Sequence, residues 1–192
     1  MATSEKPRSS DDVPTDLMPL LRKSGILQEK QLEEIRHRIL EGRYPMGARE
    51  LAGRLVHDKV LTEYQARRLL SNKPGGMVVG RYVVMDRIGS GSMGRVYRAH
   101  HQLMDRSVAI KIIAPEIVTN QRIVSRFQRE MKLVGRLDHP NVVRAFDADQ
   151  IGTTLYIVME YVAGQSLGQK FKTEGVQPPL DVARWAAQAA RG

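Results

Sequence analysis

The spacing of apolar residues changes once along the chain. In residues 15–72 the apolar side chains recur every three or four positions, as at Leu32, Ile35 and Ile39, which is typical of amphipathic helices. From Met77 onward they fall in short β-branched runs separated by glycine and proline. The pattern therefore predicts an α+β protein, with a helical N-terminal part followed by a part that contains a sheet.

The helical part contains a repeat of two copies. Leu55 follows Leu21 by 34 positions, and the residues around them align. In each copy one helix ends, an apolar pair crosses the turn and a second helix begins, with Thr62 a predicted N-cap. Two copies are too few for a solenoid, so we predict a compact bundle of about four short helices without a catalytic role. The identical pairs are Leu21/Leu55, Leu27/Leu61, Glu29/Glu63 and Gln31/Gln65.

Two stretches lack this periodicity. Residues 1–14 are rich in serine, aspartate and proline, and we predict a disordered tail there. Residues 73–76 read Lys-Pro-Gly-Gly, a combination that favours turns. Residues 73–78 are therefore predicted to be a linker between the helical segment, 15–72, and the segment that contains the sheet.

The composition is that of an ordinary globular chain, with 42% apolar and 27% charged residues. Cysteine is absent, which excludes disulfides, thiol nucleophiles and thiolate metal sites and fits a reducing compartment. The longest uncharged stretch, Gln150 to Met159, is too short to span a bilayer, and the N-terminus lacks the apolar region of a secretory signal. We expect a cytoplasmic protein, with no membrane span in this chain and no metal site among its residues.

The chain is basic, with a formal net charge of +9 from 30 basic and 21 acidic side chains. A basic balance raises the question of nucleic-acid binding. The charges are spread along the chain, without a block of five or more of one sign. We therefore expect no nucleic-acid partner.

A glycine-rich segment follows the first predicted strand. Gly89-Ser-Gly-Ser-Met-Gly94 matches G-x-G-x-x-G, a pattern that also occurs in dinucleotide-binding folds. In those folds a helix follows directly, whereas here Val96 begins a second strand-like run. The glycines are thus predicted to join two antiparallel strands, where backbone amides without a nearby Cβ can approach phosphate oxygens. By itself the motif fits an ordinary glycine-rich hairpin equally well.

A lysine in an apolar strand sharpens this interpretation. Lys111 lies in Val108-Ala-Ile-Lys-Ile-Ile113, where a buried ammonium needs a partner. Residues 119–137 are predicted to form a helix, and Glu130 falls on its apolar stripe. A lone strand lysine usually lies at an edge of the sheet or extends its ammonium to solvent. The glycine-rich segment, the lysine and the inward glutamate together favour an ion pair between Lys111 and Glu130.

These segments resemble the protein kinase family, in particular bacterial Ser/Thr kinases, over residues 79–192. The resemblance implies an N-lobe and hinge at 79–163, with a five-stranded antiparallel sheet and a C-helix, and the first C-lobe helices at 164–192. The matching segments are the glycine-rich loop Ile88–Val96, the third-strand lysine motif Val108–Lys111, the C-helix Glu130, the following turn His139–Asn141 and the fifth strand with hinge, Leu155–Val162.

In this family the glycine-rich loop closes over the phosphates of ATP, the expected cofactor. Lys111 would then contact the α- and β-phosphates, and Glu130 would hold Lys111 in place. These two are the implied catalytic residues. The loop residues implied in cofactor binding are Ile88, Gly89, Ser90, Gly91, Ser92, Met93 and Gly94.

The resemblance also implies an adenine site. Val96 and Ala109 would form its apolar roof, and Met159 would stand at the back as the gatekeeper. The backbones of Glu160 and Val162 would meet the adenine edge. Ala163 departs from the family pattern, because related kinases often have a polar residue there that accepts a hydrogen bond from the ribose.

The family's later motifs do not occur in these 192 residues: no H-R-D-x-x-x-x-N, D-F-G or A-P-E segment is found. Those motifs supply the catalytic base and the Mg²⁺ ligands of a complete kinase. We therefore interpret the chain as the N-terminal part of a longer kinase, truncated in the C-lobe, and expect no phosphotransfer by the chain alone.

The function implied is ATP-dependent phosphoryl transfer to protein hydroxyls, with a protein substrate and a possible protein partner of the helical part. The main alternative is a nucleotide-binding pseudokinase or adaptor whose helices mediate protein interactions. A further alternative is a non-catalytic interaction protein built on the helical repeat.

Overall fold

The computed structural model describes most of the chain beyond its first residues. The predicted tail lies outside the described residues except for Pro14. The chain forms two compact units: one contains residues up to Ile88 together with Ala99–Arg106, and the other contains Gly89–Arg98 and Ser107–Gly192. The described residues are 14–114, 125, 129, 135 and 137–192.

Four helices form most of the first unit, as the periodicity predicts. Their apolar faces share one core, in which Leu21, Leu55 and Leu69 are fully buried. Thr62 caps the fourth helix as predicted, because its side chain accepts a hydrogen bond from the Gln65 backbone N–H. The helices are α1 Met18–Ser24, α2 Glu29–Leu40, α3 Ala48–His57 and α4 Glu63–Leu70.

The turns between α1 and α2 and between α3 and α4 have matching geometry. Gly25 ends α1 with a φ of 68°, and Lys59, which lies 34 positions later, has a φ of 59°. At the start of the next helix the Gln31 side chain accepts from the Gln28 N–H, and the Gln65 side chain accepts from the Thr62 N–H, both at 2.9 Å. The identical glutamines of the repeat thus cap their helices in the same way.

Six strands form one sheet, in the order β1-β2-β3-β4-β6-β5. The pairs β1/β2, β4/β6 and β5/β6 are antiparallel. Within the described residues the sheet has one strand more than the five predicted, and the additional two-residue β1 begins at the last residue of the segment expected to be a linker, 73–78. The strands are β1 Val78–Val79, β2 Tyr82–Gly91, β3 Gly94–His101, β4 Arg106–Ile113, β5 Ala145–Ile151 and β6 Thr154–Glu160.

The core of the helical part extends onto the first strands. The side chain of Met77 is fully buried, and Val83 belongs to the same apolar cluster as the helices. The backbone N–H of Val84 donates to the Met77 carbonyl at 2.8 Å. Residues 77–84 therefore pack with the helices, while the segment boundaries proposed from sequence stay predictions.

Two helices follow the sheet: α5, Leu167–Glu174, and α6, Pro179–Arg191. No side chain of either helix is buried, and the rings of Phe171 and Trp185 meet edge to face at 6.5 Å.

Four residues of the helix predicted over 119–137 are described: Ser125 and Arg129 are helical, whereas Gly135 is in a turn and Leu137 is irregular, so the predicted helix extends too far at its C-terminal end. The helical bundle, the antiparallel sheet and the helices after it agree with the predicted α+β fold.

Candidate nucleotide site

The glycine-rich segment joins two strands. β2 ends at Gly91 and β3 begins at Gly94, so Ser92 and Met93 form the turn between them. Met93 is exposed, with 60% of its surface accessible. The predicted strand–turn–strand arrangement is present, and it differs from the strand-to-helix turn of a dinucleotide-binding fold.

The three glycines of the motif have different surroundings. Gly94 has a φ of 143°, and a Cβ built on it would lie 2.0 Å from the carbonyl oxygen of Ile112. A Cβ on Gly91 would meet nothing within 4 Å, and one on Gly89 would make an ordinary 3.6 Å contact with Val96. Glycine is therefore required at Gly94 by the close approach of β4, whereas at Gly89 and Gly91 the protein itself leaves room for a ligand.

The register of β4 against β6 brings predicted site residues together. Ala109 pairs with Met159, and Lys111 pairs with Ile157. Paired residues of neighbouring strands project from the same face of a sheet. Ala109, Lys111 and Met159 consequently lie on one face, which also carries the apolar cluster of Ile113, Leu155 and Ile157.

The tip of the glycine-rich segment lies against the end of β4. The Lys111 Nζ is 3.9 Å from the Met93 sulfur, and the Ala114 N–H donates to the Met93 carbonyl at 3.1 Å. Lys111 is half-buried. The ammonium group of Lys111 thus lies beside the turn of the glycine-rich segment.

The ion pair between Lys111 and Glu130 stays a prediction, because Glu130 lies outside the described residues. Met159 packs against the apolar cluster beside Ile157, so the inner face of the sheet is lined by both apolar and cationic groups. Such a face suits a ligand with an apolar ring and an anionic tail.

The segment after β6 carries the predicted adenine contacts. The Glu160 N–H donates to the Arg144 carbonyl at 2.9 Å, at the end of β6. Val162 is 63% exposed, and within the described part of the chain its backbone N–H has no hydrogen-bond partner. Ala163 is exposed. Val162 is therefore available to donate to a planar base.

Sequence reasoning missed Arg144, whose contacts stabilise the end of β6. Its backbone accepts from the Glu160 N–H, and its guanidinium pairs with Asp138. No motif marks this residue, since its role depends on a backbone contact between β6 and a stretch sixteen positions earlier.

Within the part of the chain that the structure describes, no group of three or more His, Asp or Glu side chains could hold a metal ion. In the same residues, no helix has both the length and the apolar character needed to cross a bilayer.

Comparison with known proteins agrees with this geometry. Residues 82–192 match the model of the protein kinase domain. The chain is 38% identical over 107 residues to the serine/threonine-protein kinase PrkC of Bacillus subtilis, covering 56% of this chain and 16% of PrkC. It is 41% identical over 101 residues to the serine/threonine-protein kinase pkn3 of Myxococcus xanthus, covering 52% of this chain and 18% of pkn3.

Solved structures give the same result. A crystal structure of the Mycobacterium tuberculosis PknI kinase domain matches with a TM-score of 0.52 at 28% identity, covering 60% of this chain and 48% of that one. This chain spans less than one fifth of the length of the curated relatives named above. The strand–turn–strand glycine motif, the lysine on β4 and these matches lead to one conclusion: the chain belongs to the protein kinase family.

Proposed function

We propose that the chain supplies the ATP-binding part of a serine/threonine protein kinase, which transfers the terminal phosphoryl group of ATP to protein hydroxyls. ATP-dependent phosphotransfer is the function of the family. The observation that carries the proposal is the position of Lys111, half-buried on β4 and 3.9 Å from the glycine-rich turn at Met93.

The site residues fit a nucleotide. Ala109 and Met159 offer apolar surface for the base, together with Val96 on β3, and the Val162 N–H and the Glu160 carbonyl can pair with its edge. The open space at Gly89 and Gly91 lets backbone amides come close to phosphate oxygens. The loop residues assigned to this role are Ile88, Gly89, Ser90, Gly91, Ser92, Met93 and Gly94.

Lys111 would act on the phosphates as a fixed positive charge. Phosphoryl transfer depends mainly on positioning and on charge neutralisation. This lysine therefore needs a defined orientation, and it does not need to transfer a proton. Glu130 is proposed to provide that orientation. Mg²⁺, which the family uses with ATP, would be held by residues that are not among those described here.

A titration of ATP into the 192-residue chain tests the proposal. We expect Lys111→Met to weaken ATP binding by about 10- to 100-fold, the factor for one lost charge-assisted hydrogen bond. Lys59→Met is the matched control, since Lys59 is exposed in the helical part, and it should bind as wild type does. Equal affinity of the Lys111 variant and wild type would contradict the proposal.

A protein substrate follows from the family. The identity of that substrate, the cytoplasmic location and a protein partner for the helical part stay predictions.

A further inference from the structure

The N-terminal turn of α4 contacts the strand that leads into the glycine-rich segment. The Gln65 Nε2 donates to the Val84 carbonyl at 2.8 Å, and the Thr62 hydroxyl donates to the Met85 carbonyl at 2.5 Å. Both carbonyls belong to β2. Two consecutive peptide groups of this strand are thus held by side chains from the helical part.

Among the described strands, β2 has only the two-residue β1 as a neighbour on one of its two sides. β1 pairs with Tyr82 and Val83, and the Val84 N–H donates to the carbonyl of Met77, just before β1. A strand edge without a partner leaves backbone groups unsatisfied and permits sliding of the strand. Beyond β1, the side chains of Thr62 and Gln65 supply hydrogen-bond donors for the carbonyls of β2.

The contact is built into the protein, since Gln65 is only 2% exposed. Its side chain has two roles: the Oε1 accepts from the Thr62 N–H at 2.9 Å, which caps α4, and the Nε2 binds β2. A buried amide with both ends satisfied has a single orientation. The position of α4 and that of β2 are therefore coupled through one side chain.

We propose that Thr62 and Gln65 are positioning residues for the nucleotide site: they fix β2, the strand whose C-terminal end carries Gly89 and Gly91. The helical part is then a functional component of the kinase domain, and its Thr62 and Gln65 tune nucleotide affinity. This inference rests on the proposed function, because it concerns the same site.

The internal repeat offers a matched pair of variants. Gln65→Glu keeps a side-chain oxygen that can accept the hydrogen bond capping the helix, and it removes the Nε2 donor to β2. Gln31→Glu makes the same change at the equivalent position of the first copy, where Gln31 is exposed and caps α2 in the same way. The difference between the two variants isolates the contact with β2.

The experiment measures ADP affinity by calorimetry and backbone hydrogen exchange of residues 86–89 in the 192-residue chain, at a temperature where circular dichroism shows every variant folded. We expect Gln65→Glu to bind ADP about fivefold more weakly, the factor for one ordinary hydrogen bond, with faster exchange at 86–89. Gln31→Glu should match wild type in both measurements.

A second pair covers the case in which a carboxylate at position 65 prevents folding. Thr62→Ser keeps the hydroxyl donor to Met85 and should behave as wild type, whereas Thr62→Asp keeps the helix cap but loses the donor and should behave as Gln65→Glu. Wild-type ADP affinity in folded Gln65→Glu or Thr62→Asp would overturn the inference and leave the proposed function intact. If the wild-type chain binds neither ADP nor ATP, the proposed function fails, and hydrogen exchange alone still tests whether α4 fixes β2.

Discussion

At the scale of single residues, the glycine at position 94 is set by the protein itself. A Cβ there would overlap the Ile112 carbonyl oxygen, and the φ of 143° is unfavourable for other residues. We expect Gly94→Ala to lower the free energy of unfolding by about 3 kcal/mol, since overpacking and backbone strain add. Urea denaturation followed by circular dichroism measures this loss.

Gly91 provides the contrast, because a Cβ at this position meets nothing within 4 Å. Gly91→Ala should change the free energy of unfolding by less than about 1 kcal/mol, yet weaken ATP binding, because the added methyl group occupies the space that phosphate oxygens would enter. Equal destabilisation by Gly91→Ala and Gly94→Ala would contradict this division of roles.

The glycine motif is visible in the sequence, and there a single reason, the approach of backbone amides to phosphate oxygens, was assigned to all three glycines. The requirement at Gly94 comes from Ile112, which lies on another strand, and no local pattern reveals such an approach. The same limit applies to Arg144, whose backbone contact with Glu160 joins the residue before β5 to the end of β6.

At the scale of elements, the repeat predicts a stabilising change. Lys59 lies just after α3 and has a left-handed backbone conformation. The equivalent residue of the first copy, Gly25, has the same conformation. A side chain in this conformation costs about 1 kcal/mol or more, partly offset by the greater freedom of glycine in the unfolded chain. Lys59→Gly should raise the free energy of unfolding by about 0.5 kcal/mol, as measured in urea.

Gly25→Ala tests the same argument in the opposite direction. Its Cβ would make only an ordinary 3.7 Å contact with Val78, so backbone strain is the main cost. We expect a loss of stability of about 1 kcal/mol. Destabilisation by Lys59→Gly would show that the two turns are not equivalent.

A polar cluster at the end of α3 makes stability depend on pH. Hydrogen bonds from His57, Tyr44 and Arg54 lower the pKa of Asp58 from its ordinary value of 3.8 to about 2. Because the folded state holds the carboxylate more strongly than the unfolded state, this contribution is complete above about pH 4 and disappears as the pH falls towards 2.

Asp58→Asn should therefore unfold at a lower temperature than wild type at pH 7, with a smaller difference near pH 2. Differential scanning calorimetry across this range measures both midpoints. A difference that stays constant from pH 7 to pH 2 would show that the Asp58 charge contributes nothing to stability.

The helices of the bundle could be predicted because they carry local apolar stripes, and at α4 the capping residue Thr62 adds a second local signal. β1 could not be predicted, since two residues carry no periodicity. The contacts of Gln65 with β2 were also hidden, because they join positions nineteen residues apart through one amide group.

At the scale of the whole molecule, the chain combines a helical bundle with the beginning of a protein kinase domain. In the complete protein, we expect Lys111→Met to abolish phosphotransfer without unfolding the domain, because the lysine acts on ATP and contributes little to packing. Glu130→Ala should have a smaller effect if other contacts orient Lys111. Phosphotransfer to a generic protein substrate, with thermal unfolding as the control, measures both.

The candidate site could be proposed from the sequence because kinases use a compact set of motifs in the first half of the domain. Glycines, a strand lysine and an apolar strand leading to a hinge all leave local signals. The register of β4 with β6 puts Ala109, Lys111 and Met159 on one face, while their roles at the site stay predictions. The role proposed for the helical part could not be read from the sequence, because its polar contacts with β2 come from single side chains of Thr62 and Gln65 that no motif marks.

The most direct test of the nucleotide site uses an ATP analogue whose acyl phosphate transfers its acyl group to a lysine beside the phosphates. Mass spectrometry of the 192-residue chain should find the label mainly on Lys111, and excess ATP should prevent it. The exposed Lys59 serves as the internal control and should stay at background. Labelling spread over the lysines and unchanged by ATP would contradict a nucleotide site at Lys111.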